Sequence, residues 1–362
     1  MTDRNPRSGT RLRPERISYR DAGVDIDVKI QVVDRLKARA RATLGTQAGP
    51  IGQFGGTYRI PSGPDQVLVA SADGVGTKLR LAFVMGGDAH AGMGRDIVNH
   101  CVNDILALGA RPLFFMDYFA TGKLDPDVVT AVVGGVTDAC VDNGMALLGG
   151  ETAEMPDMYA PGEYDLAGFI VGTVAPDAMV DGSAIEPGDV VIGLPSSGLH
   201  TNGYSLARRV LGLTGDVERD RAILAETPAG WKESIGSALI AEHRTYIPEV
   251  QPLLRDDLVR GMAHITGGGL VENLPRVLPE GCIASLDPTT WPSPPVFDLL
   301  IERGGVPDDE RYRVFNMGIG FAIIARDEHA GAILELVPEA RRIGEIISRS
   351  TSDEAAVQGL SC

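Results

Sequence analysis

Three carboxylates stand where phosphate chemistry would need them. Asp73 lies in the segment ASADGVGTK (70–78), after an apolar run that reads as a buried strand. Its oxygens are hard donors suited to Mg²⁺. Gly74 and Gly76 let backbone N–H groups approach an anion. Thr77 adds a hydroxyl and Lys78 a compact positive charge for phosphate. The order of residues is not that of a Walker A loop. A plain tight turn with a solvated lysine is the competing interpretation.

Asp104 belongs to the helical stretch GRDIVNHCVNDILALGARP. Ile97, Val98, Cys101, Val102, Ile105 and Leu106 form a wide apolar stripe, and Asp96, Asn99, His100, Asn103 and Asp104 share the opposite face. Asn and Asp are poor helix formers, so this face is expected to be a ligating one rather than a solvated one. Glu151 follows Gly149 and Gly150 in LLGGETAEMPDMY, at the expected end of a third strand and next to Thr152. Asp73, Asp104 and Glu151 are therefore expected to converge on magnesium held against a polyphosphate.

The second half of the chain offers loops rather than acids. In GLPSSGLHTNGYSLAR, Ser196, Ser197, Gly198 and Asn202 precede a helix start that suits an anion, with His200 in the same loop. In MAHITGGGLVENLPRVLP, Gly267, Gly268 and Gly269 again precede a helix, after His264. A surface role for His200 and a core role for His264 compete with catalytic ones.

The elements that must position these groups alternate. Strands are expected at 66–70, 113–119, 145–148 and 165–174, with helices at 25–44, 95–108 and 125–143. A turn-rich boundary near 181–188 precedes a second α/β region. Its helices are expected at 204–211, 235–254 and 270–277, and its strands from 190 and at 312–316, 320–324 and 342–347. This divides the 362 residues into a basic tail (1–24), an N-terminal domain (25–182), a C-terminal domain (183–350) and a short tail (351–362). The formal net charge is −16; the first twenty residues carry +4, which leaves −20 for the rest. So acidic a body argues against a nucleic-acid footprint. No apolar run reaches the length of a membrane span. Four scattered cysteines, Cys101, Cys140, Cys282 and Cys362, suggest reduced thiols in the cytoplasm.

The segments YRDAGVDID, DGVGTKLRLA, CVNDILALGARPLFFMDYFATGKL, GGETAEMPDMY, YDLAGF, SSGLHTNGYSLAR and HITGGGLVENLPRVLP occur in this order from Ser18 to Ile347. Together they resemble the phosphoribosylformylglycinamidine cyclo-ligases, also called aminoimidazole ribonucleotide synthetases. The resemblance implies two α/β domains, a homodimer whose N-terminal sheets pair, and ATP-dependent ring closure of formylglycinamidine ribonucleotide in purine synthesis. It implies ATP and Mg²⁺, with a monovalent cation such as K⁺ as a further candidate. By the same resemblance Asp73, Asp104 and Glu151 match metal and nucleotide positions. Lys37, Gly74, Gly76, Thr77, Lys78, Gly150 and Thr152 match the nucleotide side. Asn103, Asp104, His200 and His264 match the catalytic cleft. Ser196, Ser197, Gly198, Asn202 and Gly267–Gly269 match the substrate side. The run Glu242-His243-Arg244-Thr245-Tyr246 departs from a Pro-Thr-Arg-like pattern common in the family. Sister enzymes with similar ATP loops (formylglycinamidine ribonucleotide synthase, thiamine monophosphate kinase) and a non-catalytic ATP-binding protein on the same fold stay open as alternatives at this point.

Overall fold

Two sheets organise the chain, and one long helix lies at the seam between them. The computed structural model describes residues 65–360 and 56–60, with positions 18, 46, 53 and 54 before them. Lys37, the expected helix at 25–44 and the basic tail lie outside the described residues.

The first sheet has five strands in the order β1 (Gly56–Arg59), β2 (Val67–Gly74), β5 (Tyr164–Val174), β3 (Arg111–Thr121) and β4 (Ala146–Glu154). In this sheet only the β3–β4 pair is parallel. Its crossover is helix α3 (Pro126–Asp142), started by Pro126 and capped by the Asp125 side chain, which accepts from the N–H groups of Asp127 and Val128. Helices α1 (Leu79–Met85) and α2 (Asp88–Leu106) precede it in the chain. The apolar stripe of α2 packs on one face of the sheet, where Met93, Ile97, Cys101 and Ile105 join Val69, Phe115, Phe119 and Ile170 in a buried cluster. On the opposite face of the sheet, among the described residues, Tyr58, Met116 and Phe169 stand exposed.

The second sheet has six strands in the order β11 (Val357–Gln358), β8 (Cys282–Leu286), β10 (Arg341–Ser348), β6 (Val190–Pro195), β9 (Ile319–Ala325) and β7 (Gly261–His264). Every residue of β9 is buried, and so is nearly every residue of β6. Both faces of these central strands are covered, so their sequences read as unbroken apolar runs rather than as alternation. The helices of this half are α4 (Tyr204–Val210), α5 (Val217–Leu224), α6 (Ile235–Ile240), α7 (Ile247–Arg255), α8 (Gly269–Asn273), α9 (Pro295–Gly304), α10 (Asp308–Val314) and α11 (Ala330–Leu336).

Several expectations need correction. The segment expected as a strand at 312–316 begins inside helix α10. Asp308, Asp309 and Glu310 in the first turn of that helix and Arg311 and Arg313 in the last complement its dipole. The helix expected over 235–254 is two helices, because 241–246 is non-helical and its polar groups bond to α2 instead of to their own turn. The expected C-terminal tail supplies edge strand β11, which pairs parallel with β8, and Leu360, which is buried in the core.

Candidate functional site

Strand parity decides which carboxylates meet. Asp73 follows Val67, Val69 and Ser71 on the face of β2 that α2 covers, so it points toward the helix. Asp104 and His100 come from that helix, one turn apart. One donor atom from each of Asp73, His100 and Asp104 lies within 4.8 Å of the others. Asp73 remains open to solvent with its side chain 47% exposed, whereas Asp104 is almost buried.

Glu151 does not join them within one chain. Asp73, Gly168, Asp117 and Gly150 form one row across β2, β5, β3 and β4. Three strand spacings separate β2 from β4, about 14 Å. Glu151 is one residue beyond that row, so it lies on the opposite, open face of the sheet. It is also inside β4 rather than at a strand end, since β4 runs on through Gly149 and Gly150. Gly150 leaves no room for a side chain there: a Cβ would stand 2.7 Å from the Asp117 carbonyl O.

Behind the carboxylate pair lies a histidine cluster shared by the two halves of the chain. His100 donates Nε2–H to Asp73 Oδ2 (2.9 Å) and Nδ1–H to Thr201 Oγ1 (2.7 Å). His264, at the end of β7, donates Nδ1–H to Asp104 Oδ1 (2.8 Å), and the Ser71 hydroxyl donates to Asp104 Oδ2 (2.8 Å). His243 lies 3.1 Å from His264, Nε2 to Nε2, and stacks on His200 with ring centroids 4.1 Å apart. His200 has a left-handed backbone (φ 60°), and its Nε2 accepts the Ser197 N–H (3.1 Å), which closes the Ser197–His200 turn.

The charges divide unequally. Burial opposes a charge on His100, but the Asp73 carboxylate, with Asp104 and Asp96 behind it, raises its pKa to about 9. Burial holds His200, His243 and His264 below the ordinary imidazole value; for His200 and His243 the neighbouring cations act in the same direction, and for His264 Asp104 only partly offsets it. At neutral pH the cluster therefore holds one imidazolium and three neutral rings.

The polar face of α2 is neither solvated nor mainly ligating. It is the seam between the domains. Asp96 accepts the His243 N–H (2.7 Å) and pairs with Lys78 Nζ (2.6 Å). Asn99 donates to His243 O (2.7 Å). Asn103 donates to Arg244 O (2.9 Å) and accepts the Tyr246 N–H (3.0 Å). Asn103 is thus enclosed, as a tether for the 241–246 segment. Lys78 is fully buried and also donates to Ala241 O (2.7 Å), so its ammonium faces the seam instead of the open side of the Asp73 loop. His200 and His264 are enclosed too, and Asp104 stands between His264 and the opening.

The loop residues frame the opening. Gly76 is exposed with φ 69° and has no atom near its Cβ position, while Thr77 Oγ1 meets Ser205 Oγ at 3.0 Å. Gly74 closes β2, beside the carbonyl of Leu166. The Ser196 hydroxyl donates to Asn316 Oδ1 and the Ser197 hydroxyl to Glu242 O, and Asn316 Nδ2 donates to Gly198 O, which fixes the 196–198 loop from two sides. Asn202 adjoins Gly267, where an added Cβ would stand 3.0 Å from Asn202 Oδ1, so the two glycine-bearing loops meet. Gly268 and Gly269 have positive φ, and a Cβ on Gly269 would stand 2.0 Å from Tyr312 O. Thr152 lies with Glu151 on β4, away from this cluster. Sequence reasoning missed Ser71, Thr201 and His243. The break from the family pattern at His243 was the one signal in the sequence that pointed there.

Comparison with known proteins gives the fold a class. Residues 52–174 match the N-terminal domain, and 186–354 the C-terminal domain, of the AIR synthase related proteins. Two solved structures share the fold: thiamine monophosphate kinase from Aquifex aeolicus (TM-score 0.58, 17% identity, covering 90% of this chain and 95% of that one) and a hydrogenase maturation protein in complex with ATP (0.59, 22%, 83% and 83%). Within that class the chain belongs to the phosphoribosylformylglycinamidine cyclo-ligase family. It is 49% identical over 345 residues to the member from Burkholderia multivorans, covering 94% of this chain and 95% of that one, and 48% identical to a member from Burkholderia cenocepacia over the same shares.

Proposed function

We propose that the chain closes the imidazole ring of aminoimidazole ribonucleotide. Formylglycinamidine ribonucleotide and ATP are consumed, and ADP and phosphate are released, as the fifth step of de novo purine synthesis. The observation that carries this, beside family membership, is the convergence of Asp73 and Asp104 at the seam of the two domains. ATP phosphorylates the formyl oxygen, a substrate nitrogen attacks the activated carbon, and phosphate leaves. Such chemistry needs positioning and charge neutralisation more than a protein nucleophile.

The carboxylate pair fits Mg²⁺: its donors are hard oxygens, and Asp73 is open to solvent. When bound, Mg²⁺ supplies charge neutralisation at the phosphates. Ser71, His100 and His264 orient the two carboxylates, and Asn103 and His200 act at one further remove by fixing the segments that carry His243 and Ser197. Gly74, Gly76 and Thr77 offer backbone and hydroxyl donors on the nucleotide side. Lys78 serves it by holding the loop. Lys37 stays a candidate nucleotide contact on resemblance alone. Ser196, Ser197, Gly198, Asn202 and Gly267–Gly269 form the rim for the ribonucleotide. Gly150, Glu151 and Thr152 reach a nucleotide site only through a second copy. The open sheet face with Tyr58, Met116 and Phe169 suits that copy, since monomers rarely leave such a patch uncovered. Among the described residues no helix is long and apolar enough to cross a membrane. A cytoplasmic location belongs to the same proposal, on the ground of the scattered cysteines.

The test is phosphate release from ATP and Mg²⁺ with and without formylglycinamidine ribonucleotide, with the product followed as its azo dye. Phosphate and dye appearing together, only with that substrate, is the expected result. Phosphate without dye redirects the assignment to a sister enzyme.

A further inference from the structure

We propose that the buried histidine cluster is a nitrogen-donor site for a borderline divalent cation of the Zn²⁺ class, held by His243, His264 and His100. One ring nitrogen from each lies within 4.8 Å of the others, and all three side chains are buried. They come from three separate elements: α2, the 241–246 segment and the end of β7.

The hydrogen bonds aim two ring nitrogens at each other. Backbone groups fix the Asn103 amide, since Oδ1 accepts from Tyr246 N–H and Nδ2 donates to Arg244 O. Its remaining N–H is 3.2 Å from His243 Nε2, which calls for a lone pair there. His264 gives its Nδ1–H to Asp104, which leaves Nε2 as its ligating nitrogen. The two Nε2 atoms stand 3.1 Å apart. A cation bridging the two nitrogens fits that spacing. Tetrahedral Zn–N bonds of about 2.0–2.1 Å put neighbouring nitrogens about 3.3–3.4 Å apart, close to what is already there.

The outer partners agree with this. Metal-bound histidines usually donate their far N–H to a carboxylate, a backbone carbonyl or water. Asp104 receives it from His264, and Asp73 receives it from His100. Loading displaces the Nδ1–H that His100 otherwise gives to Thr201 Oγ1, as metal binding to histidine does generally. The site differs in kind from the Asp73–Asp104 oxygen pair, which prefers Mg²⁺.

The test uses the full chain, stripped with a chelator and titrated with Co²⁺ in excess Mg²⁺, which keeps oxygen sites filled. We expect one retained equivalent with the intense visible absorption of tetrahedral nitrogen ligation. His243→Gln should bind at least about 10–100-fold more weakly, the loss that even an outer-shell change causes. Wild-type protein with no retained Co²⁺, or with only the faint absorption of an octahedral oxygen site, overturns the proposal and leaves a metal-free imidazole network. Undiminished binding in a folded His243→Gln protein overturns it as well. The wild-type titration decides the matter even where that variant does not fold.

Discussion

Asp104 shows how a residue's surroundings change what its removal does. A ligand standing in an open cleft could be removed with little cost to the fold. The carboxylate is instead nearly buried and takes hydrogen bonds from Ser71 and His264. Asp104→Ala should therefore lower stability by about 1–3 kcal/mol, the usual consequence of leaving buried polar partners unpaired. Asp104→Asn keeps the shape but loses the charge. It should retain most of the stability and lose turnover by about 10²–10³-fold, the scale of one preorganised electrostatic contact. Urea melts and the phosphate-release assay on the two variants separate these effects; an Asn variant with full turnover would remove Asp104 from the proposed Mg²⁺ site.

At the scale of elements, the first turn after the nucleotide loop is locked to α2. Lys78 and Asp96 form a fully buried ion pair at 2.6 Å, and burial pushes the Asp96 carboxyl up against the pull of Lys78. Lys78→Met leaves that carboxylate without a partner and should cost about 3–5 kcal/mol, whereas Lys78→Met with Asp96→Leu should recover much of it. Denaturant midpoints of the single and double variants test this. A single variant of wild-type stability with weakened ATP binding would return Lys78 to the phosphate role. The crossing of α2 and α3 is equally exacting. A Cβ on Gly94 would stand 2.0 Å from Val132 O, and one on Gly135 1.9 Å from Ala91 O. Gly135→Ala should destabilise by about 1–3 kcal/mol or more through overpacking, read as a lower melting temperature.

For the whole molecule, the histidine cluster predicts a stability maximum in chelated buffer. His200, His243 and His264 have pKa values lowered by folding, so below about pH 6.5 the unfolded chain binds more protons and stability falls as pH falls. His100 has its pKa raised to about 9, so its contribution is complete below the unfolded value and is lost as pH rises through about 9. Denaturation measured across both limbs should show each of them, and His100→Asn should flatten the alkaline one. A variant with the same alkaline slope would show that His100 carries no such charge. Phe169→Asp, on the open sheet face, should turn a dimer into a monomer in light scattering with little change in secondary structure; a wild-type monomer would refute the proposed pairing of sheets.

Much was legible in the sequence alone: the family, four of the five strands of the first sheet and helices α2 and α3, but not β1 or α1. Apolar periodicity and glycine positions are local signals, written within a few residues of the element they set. Helix α2 and strand β5 were legible for that reason. Which of those residues meet was settled by the fold in three dimensions. Strand parity and sheet order put Glu151 on the far face from Asp73. Docking of the 241–246 segment on α2 turned an apparent ligating face into a domain seam and brought His243 beside His264. The contacts of Asn99 and Asp96 with His243 join residues 144 and 147 positions apart, and no spacing within one segment encodes them.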